Sequence, residues 1–497
     1  MIHETTRRNT KKHQESSKIF RVLFCAVSWI RLWSCPHLIK FDLDFFRLSL
    51  LLLLVFVYAS PNAAGAHLAA TQTVAQSQPP LAVEIFNLTE EMEVGLEIEA
   101  RSPGASWARR GAEAAALLIS VDGVYNQDLL LWAGDESFSY RVMLGRFPRG
   151  KHTVSVALNT ARSAVGAQRA EVKLLRPLLF ATAHGTGRVD EELLALAHSP
   201  ILYARANAID RFTDLPLLMY YEILREAADD LIVRYTAIFS NEDGGTQTAA
   251  LMARWGRATD IEWVYQFRVR HQKIIEETYQ GVKHETKFFT GSRTAGSHPL
   301  LAVASDNNNF SDLACSAVRF APLPVRARLE TATRESVMDL YPQTYRVMTE
   351  ELLREERISD TPADINTIVD PRAYLYIEAV SEQEGAALAF DVKVAGQPKI
   401  FASDMGEPQL RIDRSGYFRT AVRLPKGIPP AMVETITARC HASTKAAGER
   451  RCKHLRMVRV LMLDQNYVPR PLLLQAQPEA SLTPDETKVF RLAQPKP

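Results

Sequence analysis

From residue 81 onward the sequence keeps returning to a two-residue hydrophobic period, and a chain patterned in that way can bury its apolar side chains only by forming sheets. The alternation is clearest in SFSYRVMLG (137–145) and HTVSVALN (152–159). It recurs in LAVEIFNL, MEVGLEIEA and ALLISVDG, with turn formers such as FPRGK between the runs. Each run offers one apolar and one wet face, and two such sheets stacked on their apolar faces make a sandwich. Residues 81–176 are therefore expected to form a small β-sandwich.

The pattern continues in a central segment, 178–325. LPLLMYYEIL and LIVRYTAIFS flank the polar turn REAADD, and Leu217, Met219 and Tyr221 alternate in register with Val233, Tyr235, Ala237 and Phe239. This reads as a hairpin; the competing reading is a helix over 214–228, capped by Asp214 with Pro216 in its first turn. Further strands are expected in IEWVYQFRV, KIIEETYQG, ETKFFTG and PLLAVASD, and a short helix over 189–197, with Asp190 as its cap and Glu191 and Glu192 in its first turn. The central domain is thus mostly antiparallel sheet with few helices. Residues 326–475 open with a helix (YRVMTEELLREER) and continue as strands AYLYIEAV, ALAFDVKV and GYFRTAVRL, a C-terminal β-sandwich. The last 22 residues, 476–497, are polar and Pro-rich and read as a flexible tail.

Upstream of all this, residues 48–57 (LSLLLLLVFV) form an unbroken apolar run followed by the small residues Ala64, Gly65 and Ala66. About ten residues are too few to cross a bilayer, but they suit a signal peptide cleaved near Ala66. Residues 1–66 are accordingly a leader, with the true start expected near Leu43, and 67–80 a linker. The protein is expected to be secreted or periplasmic, with no membrane span left after cleavage. In that setting Cys440 and Cys452, at the inner ends of two strand-like runs, are expected to pair as a disulfide closing a hairpin, and Cys315 to be a buried free thiol. Lys and Arg number 59 against 57 Asp and Glu, so no overall field draws the chain to nucleic acid.

The polar clusters concentrate in the central domain, at strand ends. Glu242 and Asp243 precede the turn-forming pair Gly244 and Gly245, and Asp260 and Glu262 fall two apart on one strand face, a spacing suited to acid/base work. His284 follows soon after. These five are the candidate catalytic residues. Ser305 to Asp312 is rich in oxygen, and Asp306, Asn308 and Asp312 are the candidate calcium ligands, although Phe310 breaks the EF-hand pattern. Zinc on His284, His298 or His198 is the weaker metal reading, since no paired ligand spacing occurs. There is no GxSxG, P-loop or GxGxxG opening a helix, which argues against serine hydrolases, NTPases and dinucleotide enzymes.

Two resemblances add to this. The run Gly150 to Val156 resembles the late strand of immunoglobulin-like modules, which implies an immunoglobulin-like sandwich for the first domain. The central domain resembles the β-rich vacuolar-protein-sorting-related domain of plant and fungal proteins. The likeness lies in His198-Ser199-Pro200-Ile201-Leu202-Tyr203, Gly256 to Trp263, His284-Glu285 and His298-Pro299-Leu300-Leu301, over about 130 residues. Where that family has Asp-Trp-Glu, this chain has Asp260-Ile261-Glu262-Trp263. The resemblance implies a compact sheet with acidic and histidine residues grouped together, and no particular reaction. The expected function is an exported protein that binds an extracellular or cell-envelope ligand; the alternative is a hydrolase of glycans or related polymers. N-terminal sequencing of the native protein should begin close to residue 67, and a mature chain starting before Phe45 would rule out the start near Leu43.

Overall fold

The computed structural model describes residues 79–181, 190–242, 244–313, 315–443 and 450–493. The leader, residues 67–78 of the linker, Asp243 and the first residue of the helix expected over 189–197 lie outside the described residues. What is described falls within one compact unit of mostly antiparallel sheets. Among the described residues no helix is long and apolar enough to cross a membrane.

Seven strands build the first module: β1 (Ala82–Leu88), β2 (Met92–Arg101), β3 (Ala116–Val121), β4 (Val124–Leu130), β5 (Phe138–Phe147), β6 (Gly150–Leu158) and β7 (Glu171–Phe180). They form a four-stranded sheet, β1-β6-β3-β4, and a three-stranded sheet, β5-β2-β7, with every pairing antiparallel. Leu96 and Ile98 of one sheet and Ile119, Val154 and Val156 of the other share a core with Trp107, all 1% exposed or less. The period-two pattern has done what it implied.

The central module contains α1 (Glu191–Ala197), β8 (Ile201–Tyr203), α2 (Ala206–Arg211), β9 (Pro216–Ala227), β10 (Asp230–Phe239), α3 (Thr248–Trp255), β11 (Ile261–Arg270), β12 (Lys273–Gln280), β13 (Thr286–Phe288), β14 (Arg293–Thr294), β15 (His298–Val303), β16 (Phe310–Ser311), β17 (Arg319–Phe320) and β18 (Val325–Arg326). Asp190 caps α1, its Oδ1 accepting from the backbone N–H of Glu192 and Leu193 at 2.9 and 3.1 Å. The 216–239 segment is the hairpin and not the helix, because the alternating set from Leu217 to Phe239 is buried throughout and a helix would scatter it around its circumference. A six-stranded sheet, β13-β12-β11-β10-β9-β18, faces a smaller one, β14-β15-β8-β17, with β16 on β15. The module is more mixed than its sequence suggests, since β15 runs parallel to β8 and β18 parallel to β9. Where β10 pairs with β11, Tyr235 opposes Tyr265 but Thr236 opposes Trp263, so Val264 is an extra residue. That bulge lets Val264 and Tyr265 both turn inward and leaves Glu262 and Trp263 half-buried.

The third module has α4 (Ser336–Leu340), α5 (Gln343–Arg354), β19 (Tyr374–Glu384), β20 (Ala386–Val394), β21 (Phe401–Ala402), β22 (Gly416–Arg423), β23 (Val433–Ala442), β24 (Arg451–Leu463), β25 (Pro469–Leu472), β26 (Ala480–Leu482) and β27 (Thr487–Arg491). Its two sheets are β22-β19-β24-β25, with β26 on β24, and β21-β20-β23-β27. Three expectations change here. The 476–497 segment is not loose as far as it is described: β26 and β27 complete the two sheets, and Leu482 and Phe490 enter the core. Cys440 and Cys452 do not close a hairpin, because β23 and β24 belong to opposite sheets; their buried thiols, unbonded, touch across the sandwich interior. Cys315 is exposed, in the loop between β16 and β17.

Nor does α5 pack within the C-terminal sandwich. Tyr345, Met348 and Leu352 pack with Tyr220, Ile238 and Met252 of the central module, and Glu350 accepts from Ser106 Oγ and Trp107 N of the first at 3.1 and 2.9 Å. Beside it lies an ion cluster around Arg419, which is wholly buried. Its guanidinium donates to Asp339 Oδ2 and Glu378 Oε1, each at 2.6 Å, and to Tyr345 Oη at 2.6 Å. Burial alone would raise the Glu378 carboxyl, but Arg419 and Arg459 outweigh it and hold the group down at about 2. Replacing Arg419 with Ala leaves the buried carboxylates of Asp339 and Glu378 to the partly exposed Arg459 alone and should cost roughly 3 kcal/mol in denaturant unfolding. The stability contributed by Glu378 should be present above about pH 4.5 and lost as pH falls towards 2. An R419A variant as stable as wild type would show the cluster to be incidental.

Candidate functional site

Phe239 N donates to Asp260 O at 3.0 Å, which brings the loop after β10 and the loop before β11 to the same end of neighbouring strands. The β15–β16 loop, 304–309, arrives at that end too. Gly244 N donates to Asp306 O at 3.0 Å, and a Cβ on Gly244 would stand 2.9 Å from Asp306 Cβ, so the glycine is there to let the two loops touch. Asn308 sits in the left-handed region at φ 46°, which asparagine tolerates.

The side chains then knit together. Asn308 Nδ2, buried, donates to Asp260 Oδ2 at 3.0 Å and to Asp214 Oδ1. Asp214 accepts from Arg205 at 2.9 Å, and Arg205 also holds Asp306. Asp260 and Glu262 are hydrogen-bonded carboxyls, and Glu262 in turn accepts from Gln280 Nε2. Asn307, its carboxamide orientation assigned from its neighbours, donates to Glu242 Oε1 at 3.1 Å and accepts from His284 Nε2 at 2.8 Å. His284 Nδ1 lies 3.7 Å from Glu262 Oε2, with its side chain half exposed. Four of the five candidate catalytic residues, Glu242, Asp260, Glu262 and His284, thus belong to one network; Asp243 lies outside the described residues.

Too few cations serve these acids. Burial, and then the negative charge of Asp260, push Glu242 up to about 7; burial, and then Glu262, push Asp260 up to about 7. Arg257 is near but is engaged with Glu335 Oε1 at 3.1 Å. Glu242 and Asp260 therefore share protons as a pair close to neutral pH, the condition a general acid needs.

Glu242 also forms part of the wall of a cleft of about 980 Å³ where the first module, the central module and the end of α5 meet. Its other walls include Arg110 and Glu113 from the first module, Asp210 to Thr213 at the end of α2, Gly244 to Gln247 leading into α3, and Arg354, Glu355 and Arg357. Glu355 accepts from Thr213 Oγ1 at 3.3 Å, Asn241 Nδ2 at 3.1 Å and Arg357 Nη1 at 3.2 Å. Arg357 Nη1 also donates to the Glu242 carbonyl at 3.3 Å. Glu355 and Arg357 escaped the sequence reading because charges at the end of an amphipathic helix look like a solvated face. Asp214 escaped because it reads as a turn or cap residue.

The calcium trio is dispersed among protein partners. Asp306 pairs with Arg205, Asn308 binds Asp214 and Asp260, and Asp312 accepts from Thr290 N at 2.7 Å and Tyr279 Oη at 3.1 Å. The histidines also part: His298 lies between Glu93 and Ser199 O, at 3.1 and 2.8 Å, while His198 packs on the Phe267 ring at 5.0 Å. Among the described residues no group of three or more His, Cys, Asp or Glu side chains is arranged to hold a metal ion.

Comparison with protein-family models, with curated proteins and with solved structures finds no match. The chemistry rests on these side chains.

Because the Asp260 carboxyl titrates higher in the folded than in the unfolded chain, the native state binds the extra proton, and stability should fall as pH rises from about 4 to about 7. Asp260→Asn keeps an acceptor for Asn308 and removes the titration. Its unfolding midpoint should change less than that of wild type across this window, and equal slopes would show that Asp260 is not buried as a protonated acid.

Proposed function

We propose that this is an exported protein that binds a hydroxyl-rich polymer of the glycan type in the cleft beside Glu242, outside the cell or in its envelope. The observation that carries this is the cleft itself. It lies at a junction of modules, where ligand sites commonly form, and is lined by carboxylates, guanidinium groups, amides and hydroxyls, side chains that can hydrogen-bond paired ring hydroxyls. The grouping of acids with His284 is in keeping with the resemblance to the vacuolar-sorting-related domain. The seven-stranded, two-sheet layering of the first module supports the immunoglobulin-like reading of Gly150 to Val156.

A second reading, hydrolysis of that polymer, is favoured by one observation: Glu242, a carboxyl raised to about 7, shares the cleft with Glu355, an acceptor from three donors. Glu242 would protonate the leaving oxygen and Glu355 would act as base or nucleophile. Titrating the mature protein with a panel of oligosaccharides should give saturable binding, and its absence across the panel would end the glycan reading. If new reducing ends also form, Glu242→Gln should slow their release by on the order of 100-fold while binding persists. Binding without any release of reducing ends leaves the protein a binder.

Export would also place Cys440 and Cys452 in oxidising surroundings, where the touching thiols would give two electrons and two protons to a disulfide oxidant and join the two sheets. The unreduced native protein should then resist alkylation at both cysteines until reductant is added. Ready alkylation of both after denaturation, without reductant, would speak against an oxidising compartment.

A further inference from the structure

We infer that the C-terminal module holds a second ligand site, a cleft that takes a free single-chain amphiphile with a carboxylate head. It shares no wall with the cleft beside Glu242 and does not depend on the glycan reading. The cleft, of about 870 Å³, lies between β21 of one sheet and the start of β19 and the end of β22 in the other. A volume of this order suits a small organic ligand. Its floor is apolar because two cores reach the surface there. Leu424 belongs to the sandwich core and Phe401 packs on it, while Val369 and Ala373 belong to the core around α5. Ile400 and Met405 extend that surface into solvent, each 49% exposed. Met405 also sits in the left-handed region at φ 49°, where Gly, Asn or Asp is the easier residue. Keeping a half-exposed methionine there carries a backbone cost that packing does not offset, as strained residues at ligand sites do.

Charge sets the head group. Lys399, Arg423 and Lys426 stand on the walls with Asp360 and Asp370. Asp370 is already answered by Arg372, which is not part of these walls and donates to it from Nε at 2.9 Å and from Nη2 at 2.6 Å. Asp360 lies 3.5 Å from Lys426, but both side chains are about four-fifths exposed and water screens the pair. Lys399 and Arg423 have no carboxylate partner among the described residues. The Lys399 ammonium lies 6.0 Å from the centroid of the Phe401 ring, and Arg423 Nη2 donates to the Asp360 carbonyl at 3.3 Å. The positive excess therefore stands with both acids ionised. A carboxylate can meet the ammonium and guanidinium donors while its alkyl chain covers Ile400, Phe401 and Met405. A small polar anion would leave that apolar surface in water, and a neutral chain would leave the cations unanswered.

The test is calorimetric titration of the mature protein with decanoate, decanol and acetate, which separates the head from the tail. The K399Q/K426Q and I400S/M405N variants are titrated alongside, and circular dichroism checks that each folds. All four changed residues are exposed, and asparagine accepts the left-handed backbone at 405. The expected result is one saturable site for decanoate, at least about tenfold tighter than for decanol, and none for acetate at the same concentrations. Exchanging the lysines should remove most of the preference for decanoate, whereas I400S/M405N should weaken decanoate and decanol together. Equal affinity for decanoate and decanol, an undiminished preference in the lysine variant, or no saturable binding of decanoate overturns the inference. Cosedimentation with anionic phospholipid vesicles in the absence of decanoate binding would mark this face as a membrane contact and overturns it too. Each of these outcomes leaves the glycan reading intact.

Discussion

Charge withdrawn from water must be matched inside the protein, and the way this chain is held together depends on where that matching succeeds. It succeeds beneath α5 and at the junctions between modules. Arg419 binds Asp339 and Glu378 beneath α5, His298 of β15 meets Glu93 of β2 across the first junction, and Arg354 meets Glu113 at the edge of the cleft. The arginine pairs are almost free of solvent, so removing Arg354 would leave Glu113 as a buried carboxylate without its cation, and removing Arg419 would leave Asp339 and Glu378 to Arg459 alone. That penalty is far larger than the net gain from forming the pair. The modules are thereby committed to particular neighbours, which an apolar seam of the same size would specify less sharply.

At the candidate site the matching is incomplete, and the chemistry of the site follows from that. Asp214 has Arg205, but Glu242, Asp260 and Glu262 share an environment in which the guanidinium of Arg257 is occupied by Glu335. Carboxyls placed in this way hold their protons more tightly than free ones do. Asn307 and Asn308, from one loop, supply the neutral hydrogen bonds that hold the acids in position without discharging them. Glu242, the member that reaches the cleft, inherits its proton affinity from residues a ligand never touches.

Part of this was legible in the residues. Glu242, Asp260, Glu262 and His284 stand out because polar clusters at strand ends are exposed to neighbouring loops, and the strand period says where the ends are. The 305–312 loop stands out for the same reason, but its oxygens turn out to be spent on Arg205, Thr290, Tyr279 and the acid network. Glu355 and Arg357 carry no such mark. Their part in the cleft arises from contacts with Thr213, Asn241 and Thr248, more than a hundred residues away in the chain, and no local pattern encodes them.

The sequence by itself determined many of the strands, the 216–239 hairpin, the cap on α1 and the two-sheet character of the first module, because these follow from side-chain alternation and turn chemistry acting over a few residues. Tertiary structure alone decided that α5 fills the junction, that β26 and β27 finish the last sandwich, and that Cys440 faces Cys452 across its interior. An apolar strand face says that it will be covered, but not by what. The choice among covers is made by the burial and charge pairing of the whole chain at once.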